Sequence, residues 1–375
     1  MKHTIWITRQ PPPIGFRTTI SRSRIALILI VVLCIAVALL NHQNLVPKMT
    51  CHDGGWPSSA YNRSNVFDAN RYVSQCSKNF DNRRLGNQLF NFAAMTHVAW
   101  LTGRQVAMPR VHPYGWLDGL FQIDEVRRVD DIGLNLCPCY ETMNSQECGY
   151  ERSWQKLVER CDLDRTTVLI CGYTQSWRYT IGVEDSLRRQ LRFRDEIRRK
   201  VDAFLADVRP RKWDATTKFR RIGVHLRRGD NLAPHFVNYG FSVPDKTYYE
   251  HAVRYVIVNQ SISTSGSQRV PIQFIVASDD IAWMKDALDA ALKVIAANES
   301  FIDVVYSEGR DPGFDFALLA SCNSSIMSTG TYGWWSSWLA NGMTIYYKNW
   351  PRPGTGLDRD VNKEDFFPAH WIAME

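Results

Sequence analysis

Two arginines and a histidine stand at the end of an apolar run in the C-terminal half of the chain, in the segment His225-Leu-Arg-Arg-Gly-Asp230. Successive side chains of a strand point to opposite faces, so His225 and Arg227 share one face and Arg228 points to the other. Arginine binds phosphate bidentately, and this pair therefore predicts a phosphate site. A structural alternative is that Asp230 pairs with Arg228 and braces the turn.

A loop of small residues could supply further donors to the same anion. Ser328-Thr-Gly-Thr-Tyr-Gly333 joins a predicted strand to a predicted helix. Helix N-termini offer backbone N–H groups and a positive dipole end to anions. Ser328, Thr329, Gly330 and Thr331 therefore predict a phosphate loop. If this loop faces Arg227 across a cleft, a diphosphate is the expected ligand.

Two carboxylates follow a third predicted strand, in Ala277-Ser-Asp-Asp280. Asp279 could accept hydrogen bonds from a guanine edge or a ribose, whereas Asp280 is expected to cap the next helix. No Gly-x-x-x-x-Gly-Lys loop or Gly-x-Ser-x-Gly elbow is present, which argues against P-loop kinases and serine hydrolases. Neither Asp-x-Asp segment, at 162–164 and 358–360, follows a predicted strand, so we predict no metal site.

Strands and helices alternate after Pro210, which positions these loops at one sheet edge. Strands are predicted at 222–226, 272–277, 301–306, 325–328 and 344–347, and helices at 245–258, 281–297, 314–321 and 331–340. This alternation predicts a mostly parallel sheet covered by helices, a Rossmann-like domain over 211–375.

An N-terminal domain is predicted over 80–210, with less regular patterning. A helix runs from about residue 87 to Gly103, strands follow at 106–108 and 167–173, and one helix covers 183–208. Residues 112–180 are otherwise irregular, aromatic and rich in cysteine. Residues 41–79 show little periodicity and are interpreted as a stem.

Sixteen residues without charge, glycine or proline, 25–40, follow an N-terminal tail, 1–24. The tract is either a signal peptide or a membrane anchor. Its length and the tail before it favour an anchor. Five basic residues precede the tract, which places the tail in the cytosol and the rest of the chain in the lumen.

Cysteine and sequon content agree with a lumenal location. Eight cysteines lie outside the tract, an even number compatible with disulfides but with no pairing that spacing can assign. Sequons occur at Asn62, Asn259, Asn298 and Asn323, of which the first three look exposed and the last sits beside an apolar strand. The net charge is +7, and the five basic residues of the tail leave only +2 for the remainder, which argues against a nucleic-acid partner.

Four segments together resemble the α-1,2-fucosyltransferases of the inverting GDP-fucose superfamily, glycosyltransferase family 11. They are Arg84-Leu-Gly-Asn-Gln88, Gly172-Tyr-Thr-Gln-Ser-Trp177, Gly223-Val-His-Leu-Arg-Arg-Gly-Asp230 and the stretch 315–335. The similarity covers about residues 80 to 350. It implies a GT-B architecture of two facing Rossmann-like halves, a single-pass type II Golgi membrane protein and a metal-independent reaction that needs no cofactor beside the donor.

The resemblance also implies roles for particular residues. Arg227 corresponds to the arginine that binds the donor diphosphate, His225 to a histidine near the nucleoside and Asp279 to an acidic residue that contacts guanine. Ser328, Thr329 and Thr331 correspond to the phosphate loop. The loop opposite the donor, near the transferred sugar, is matched by Gly86, Asn87 and Gln88.

The implied reaction moves L-fucose from GDP-β-L-fucose to the 2-hydroxyl of a terminal galactose on a glycan. Arg227 would stabilise the departing GDP, and Asp230 is the candidate general base, with Asp315, Asp118 or no protein base as alternatives. A fucosyltransferase of α-1,6 or protein O-linkage is a second interpretation. A third is an inactive Golgi lectin, in which Trp334, Trp335 and Trp338 would stack on sugars instead of packing a helix.

Overall fold

The computed structural model describes residues 72–75, 84–108, 116–128, 140–144, 148–154, 167–261, 269–295, 299–309 and 311–375. The chain divides into two compact units, Met1–Ser59 and Ala60–Glu375, and every described residue belongs to the second. The predicted tail, the tract at 25–40 and the sequons at Asn62 and Asn298 lie outside these residues. Within the described ranges, no helix has both the length and the apolar character needed to cross a membrane.

The N-terminal half contains a five-stranded parallel sheet, named here the N-terminal sheet. Its strands are β1 (Tyr72–Gln75), β2 (Gln105–Met108), β3 (Arg127–Arg128), β4 (Tyr140–Asn144) and β5 (Thr167–Cys171). They lie in the order β3-β2-β1-β5-β4, which makes β1 the middle strand. Val73 of β1 pairs with Val106 on one side and Val168 on the other.

The position of β1 corrects the predicted domain boundary. Its four residues fall inside the segment 41–79, which we interpreted as a stem, so the predicted start of the fold at residue 80 is too late. All four residues are buried, but they read Tyr-Val-Ser-Gln. A run this short, with two polar members, gives no apolar pattern from which to recognise a buried strand.

The helices of this half are α1 (Leu85–Thr102), α2 (Trp116–Leu120), α3 (Glu184–Gln190) and α4 (Asp195–Asp207). The helix predicted to end at Gly103 is confirmed, since Gly103 adopts a left-handed conformation that closes α1. The single helix predicted over 183–208 is wrong. It is broken into α3 and α4 because the backbone between them pairs with residues 120–122, with Arg194 N–H donating to the Leu120 carbonyl at 2.8 Å.

The C-terminal half contains a six-stranded parallel sheet, named here the C-terminal sheet. Its strands are β6 (Arg220–Leu226), β7 (Ile272–Ser278), β8 (Ile302–Tyr306), β9 (Ser324–Met327), β10 (Thr344–Tyr347) and β11 (Ile372–Met374). Their order is β8-β7-β6-β9-β10-β11. This is the strand order of a Rossmann fold, with the topological switch point between β6 and β9. The predicted parallel sheet and the positions of its five predicted strands are confirmed, and the edge strand β11 was not predicted.

The helices that cover this sheet are α5 (Pro234–Tyr239), α6 (Lys246–Gln260), α7 (Ile281–Ile295), α8 (Pro312–Ala320) and α9 (Thr331–Ala340), followed by α10 (Gly356–Asp360) and α11 (Lys363–Phe366). Capping carboxylates fix where two of them begin. Asp245 accepts from the Tyr248 N–H at the start of α6, and Asp311 accepts from the Gly313 and Phe314 N–H groups at the start of α8.

The two halves share one apolar core, in which α1 packs against α9. The Phe90 ring lies 4.6 Å from that of Trp334 and 5.2 Å from that of Trp335. Trp334 and Trp335 are fully buried and Trp338 nearly so. The packing role of these three tryptophans is therefore confirmed, and sugar stacking on them is wrong.

Two predicted sequons and three cysteines, Cys148, Cys171 and Cys322, lie among the described residues. Asn259 and Asn323 are both exposed, but the Asn323 side chain accepts from the Arg221 N–H at 2.8 Å, at the start of a central strand. Cys171 is disulfide-bonded, which agrees with an oxidising compartment. Cys322 is a buried free thiol, so the lumenal cysteines do not all pair.

Candidate functional site

A cleft of about 690 Å³ lies at the carboxyl ends of β6 and β7, beside the start of α1. Ligands of parallel α/β sheets bind at this edge, at the switch point. Both halves contribute to the walls. The cleft is lined by Arg84, Leu85, Trp116, His225, Leu226, Arg227, Asp230, Ala277, Ser278, Asp279, Pro312, Asp315 and Tyr332.

Arg227 and Asp230 form a bidentate ion pair in the wall of the cleft. Arg227 Nε donates to Asp230 Oδ1 at 3.0 Å and Nη2 donates to Oδ2 at 2.5 Å. Arg84, from the N-terminal half, donates from Nη1 to the same Oδ2 at 3.0 Å. Two guanidiniums and one carboxylate thus form a cluster with one positive charge in excess, beside which Asp279 and Asp315 also line the cleft. Asp230 pairs with Arg227, not with Arg228 as the structural alternative supposed.

This pairing sets the protonation state of Asp230. The hydrogen bond from Arg227 is the largest cause that lowers the pKa of Asp230 to about 2, and Arg84 adds to it. A carboxylate with so low a pKa is a weak proton acceptor at neutral pH. The geometry therefore favours the role of arginine partner over that of general base.

His225 lies beneath the cleft as a neutral imidazole. Burial, aided by the charge of Arg227, lowers the pKa of His225 to about 3. Its ring stacks on Tyr332 with centroids 5.4 Å apart, and Nδ1 lies 3.3 Å from the Ser328 hydroxyl. A Cβ atom on Gly333 would lie 2.4 Å from Nδ1, so only glycine admits the ring at this place. His225 therefore offers the cleft a neutral polar surface.

Three helix N-termini meet at this cleft, those of α1, α8 and α9, through Leu85, Pro312 and Tyr332. At α8 the Asp311 side chain occupies the first N–H groups. At α1 and α9 no side chain caps the first turn, and neither first turn contains an acidic residue. Uncapped amides and two aligned dipoles beside Arg84 and Arg227 make an anion-binding site.

Two hydroxyls of the predicted phosphate loop form hydrogen bonds within the protein and do not face the cleft. Ser328 Oγ accepts from the Arg227 N–H at 2.9 Å, and Thr329 Oγ1 accepts from Asn231 at 3.2 Å. Both side chains are buried and neither lines the cleft. Gly330, with φ of +90°, turns the chain into α9. The loop thus orients the N-terminus of α9, which reaches the cleft through Tyr332, whereas Gly330 and Thr331 do not line it.

Arg228 does not line the cleft, so the structure does not support the phosphate-binding role that we predicted for it together with Arg227. Its Nε lies 3.3 Å from Asp280 Oδ2, and its guanidinium lies over the Trp283 ring at 4.7 Å. Asp280 also accepts from the Trp283 N–H, which confirms its capping role. Of the two adjacent arginines, only Arg227 reaches the site.

Asp279 lines the cleft while it holds the loop after β6. Its Oδ1 accepts from the Arg228 N–H at 2.8 Å and Oδ2 accepts from the Gly229 N–H at 3.1 Å. The carboxylate therefore ties the end of β7 to the loop that carries Arg227.

The N-terminal half contributes a chain of amide and hydroxyl contacts between α1 and α9, through Gly86 and Asn87, neither of which lines the cleft. Asn87 Oδ1 accepts from Gln175 Nε2 and from Thr331 Oγ1, both at 3.0 Å. A Cβ atom on Gly86 would lie 2.5 Å from the Thr331 carbonyl carbon, so α1 and α9 approach as closely as glycine allows. Gln88 is buried and does not line the cleft.

Several lining residues were not predicted from the sequence. Trp116, Pro312 and Tyr332 have no motif that marks them, and Trp116 lies in the irregular stretch of the N-terminal half. Asp315 lines the cleft and its Oδ1 accepts from the Ser307 hydroxyl at 2.5 Å. Asp118, the other alternative base, does not line it. In the described part of the chain, no three His, Cys, Asp or Glu side chains cluster as a metal site would require.

Comparison with known proteins identifies a protein family whose model matches most of this chain. The family model described as Glycosyl transferase family 11 matches residues 60–375. The galactoside alpha-(1,2)-fucosyltransferase 1 of Bos taurus is 26% identical over 300 residues, which cover 78% of this chain and 74% of that protein. The protein of the same name from Rattus norvegicus is 27% identical over 309 residues, covering 78% and 70%.

Solved structures resemble the chain more distantly. POFUT1 in complex with GDP aligns with a TM-score of 0.45 at 14% identity, over 74% of this chain and 99% of that one. NodZ alpha-1,6-fucosyltransferase soaked with GDP-fucose aligns with a TM-score of 0.43 at 18% identity, over 76% and 97%. A mutant of Arabidopsis thaliana FUT1 in complex with GDP aligns with a TM-score of 0.49 at 13% identity, over 80% and 75%.

Proposed function

Because the chain belongs to glycosyl transferase family 11, we propose that it transfers L-fucose from GDP-β-L-fucose to the 2-hydroxyl of a terminal galactose on a glycan. The observation that carries this proposal is the convergence of Arg227, Arg84 and the uncapped N-termini of α1 and α9 on one cleft. A nucleotide diphosphate is the part of the donor that such a site suits.

In this proposal the diphosphate lies between the start of α9 and Arg227, in a GT-B arrangement with the donor in the C-terminal half. The nucleoside extends over the ends of β6 and β7, beside neutral His225 and Asp279. Fucose then lies towards α1, where Arg84 and Leu85 line the cleft and Gly86 and Asn87 hold α1 against α9. The acceptor glycan enters from the N-terminal half, past Trp116.

The reaction is a direct displacement. The galactose 2-oxygen bonds to the anomeric carbon, the bond from that carbon to the diphosphate oxygen breaks, and inversion of the β-linked donor gives an α-linked product. Negative charge builds on the departing GDP, where Arg227, Arg84 and two helix dipoles are already oriented to stabilise it. Because these groups need no movement, the stabilisation is available at the moment of bond breaking.

A proton must leave the attacking hydroxyl. We assign its acceptance to Asp315, which lines the cleft in the first turn of α8 and accepts from the Ser307 hydroxyl. Asp230 is then a positioning residue for Arg227. The cytoplasmic tail, the anchor at 25–40 and the Golgi membrane location belong to this proposal as well, with the stem now ending before β1.

The test is a transfer assay with the full-length chain, GDP-fucose and β-galactoside acceptors, with and without EDTA. We expect fucose α-linked to the galactose 2-position, identified by NMR of the product, at a rate that EDTA does not change. An α-1,6 or protein-linked product would identify one of the other linkages instead. Sugar binding without turnover would support the inactive lectin, and loss of rate in EDTA would contradict the metal-independent mechanism.

A further inference from the structure

We propose that a second cavity, distinct from the cleft, is a binding site for a neutral hexose unit. It has a volume of about 750 Å³ and lies between the C-terminal end of α1, the start of β2 and helix α3. From Leu85 in the cleft to Trp100 in this cavity, α1 rises about 22 Å at about 1.5 Å per residue. One monosaccharide therefore cannot occupy both places, and this inference does not depend on the proposed function.

The wall of the cavity carries an aromatic platform. Trp100 is 50% exposed, in contrast to the neighbouring core of α1, and it lies against Gly182. A Cβ atom on Gly182 would lie 2.9 Å from the indole, so the absence of a side chain lets the ring rest on the backbone. The buried His97 ring supports it with centroids 5.9 Å apart. A large ring held in place and open on one side suits the apolar face of a pyranose.

A buried amide points to a polar ligand in the same cavity. Gln190 lines the cavity and is 5% exposed, and its Nε2 donates to the Ser186 hydroxyl at 3.3 Å. Its Oε1 has no hydrogen-bond partner among the described residues. Such an acceptor costs stability unless a ligand or water satisfies it. The oxygen is closed to solvent in this structure, so a sugar hydroxyl, a donor of the right size and polarity, reaches it when the Gln190 side chain turns towards the cavity.

The charges of the cavity favour a neutral ligand. Three arginines and four carboxylates line it, so cations and anions nearly balance. One pair of these charges is already in contact, since Arg189 Nε lies 3.7 Å from Glu125 Oε1. Arg127 Nε donates to the neutral Gln105 side chain at 3.3 Å. A phosphate would meet the carboxylates and a metal ion would meet the arginines. Vicinal hydroxyls, which both donate and accept, match this mixture of groups.

The experiment is hydrogen–deuterium exchange of the full-length chain with methyl β-D-galactoside, methyl β-D-glucoside and methyl α-D-mannoside at millimolar concentration. We expect at least one of them to protect residues 182–190, which line this cavity and not the cleft. Protection that is confined to residues 84–90 and 225–232 would place the sugar in the cleft only and would overturn the proposal. Protection of 182–190 by inorganic phosphate and not by the hexosides would also overturn it.

Variants at two positions distinguish a loss of sugar binding from a loss of protein stability. Trp100→Ala should weaken hexoside protection of 182–190 about tenfold or more, while Trp100→Tyr restores most of it because an aromatic face remains. Gln190→Leu removes the unpartnered oxygen, so we expect weaker hexoside binding with an unchanged or raised melting temperature. Equal protection in wild type, Trp100→Ala and Gln190→Leu would mean that the cavity does not bind the sugar.

Discussion

The two walls of the cleft differ in chemical character. The C-terminal wall presents charged groups at strand ends, Arg227, Asp230 and Asp315, on a sheet with the Rossmann order. The N-terminal half lines the cleft with Arg84, Leu85 and Trp116, and behind this lining Gly86 and Asn87 hold α1 in close contact with Thr331 of α9. In the proposed reaction, the C-terminal half would stabilise the charge of the departing GDP, and the contact of α1 with α9 would set the distance between the reactants. The variants below test this division.

The largest effect is expected from Arg227→Ala. It removes the guanidinium nearest to the proposed diphosphate and leaves Asp230 with only the exposed Arg84 as partner. Loss of one oriented donor to a developing charge lowers kcat by about 10²–10³-fold. Initial rates at saturating GDP-fucose measure it. A variant that kept its rate within threefold would show that the C-terminal wall does not stabilise the departing GDP.

Two variants, Asp315→Asn and Asp230→Asn, test which of these carboxylates acts as the general base. We expect Asp315→Asn to lower kcat about 10²-fold, since a general base contributes at least this much. Asp230→Asn should cost about tenfold, because it releases Arg227 without removing it. With its pKa held at about 2, Asp230 cannot produce a limb of the pH–rate profile near neutral pH. If Asp230→Asn proved the more damaging and removed such a limb, Asp230 would be the base.

Gly86→Ala tests the distance set by the N-terminal wall. The added methyl would lie 2.5 Å from backbone and side-chain atoms of Thr331, so α1 and α9 must move apart by about 1 Å. A displacement of this size can lower kcat by up to about 10²-fold, and we expect tens-fold. Gly119→Ala is the matched control, because a Cβ atom at Gly119 has no neighbour within 4 Å. Equal rates for both variants would remove the positioning role.

Among the described residues, each half contains one buried neutral histidine, His97 or His225. The effect of each histidine on the free energy of unfolding can therefore be compared as pH changes. Burial lowers the pKa of His97 to about 4 and that of His225 to about 3, against 6.5 for an ordinary histidine. Below pH 6.5 the unfolded chain takes up protons that the folded chain refuses, so stability falls as pH falls. The free energy of unfolding should drop by about 1.4 kcal/mol per pH unit for each histidine down to its folded pKa.

Urea denaturation between pH 6.5 and 5 measures this slope. His97→Gln should reduce it by about 1.4 kcal/mol per pH unit, whereas His370→Gln, at an exposed position, serves as the control. An unchanged slope in His97→Gln would mean that this histidine is charged in the folded protein.

The smallest effect is expected from Arg228→Ala. Arg228 contacts Asp280 and Trp283 outside the cleft, and a partly exposed pair of this kind contributes about 1 kcal/mol or less. The melting temperature should fall slightly while kcat stays within about threefold. A loss comparable to that of Arg227→Ala would show that both arginines contact the donor.

The sequence predicted the C-terminal half well and the N-terminal half less well, for a physical reason. Strands such as Ile222–Leu226 are buried on both faces and read as continuous apolar runs, so periodicity and alternation locate them. The strand β1 is short and half polar, and the break between α3 and α4 depends on pairing with residues about 70 positions earlier. Local patterns do not contain such information.

Prediction of the cleft residues was also limited where their positions depend on contacts between distant parts of the chain. Chain order placed both loops at the switch point, but the sequence predicted both Arg227 and Arg228 as phosphate ligands, and only Arg227 lines the cleft. The partner of Asp230 was misassigned because a carboxylate can reach either arginine in the same loop. That Ser328 and Thr329 would turn inwards, and that Arg84 would reach across from the other half, depended on tertiary contacts with Asn231 and Asp230.

The central place of β1 has a practical consequence for producing the protein without the proposed membrane tract. A secreted version that starts at residue 80, where the motifs begin, lacks β1, the strand that pairs with both β2 and β5. The backbone N–H and C=O groups of β2 and β5 that bond to β1 are then left without partners. Such a product should aggregate even though every charged residue of the cleft is still present. Secreted versions should therefore begin upstream of Tyr72.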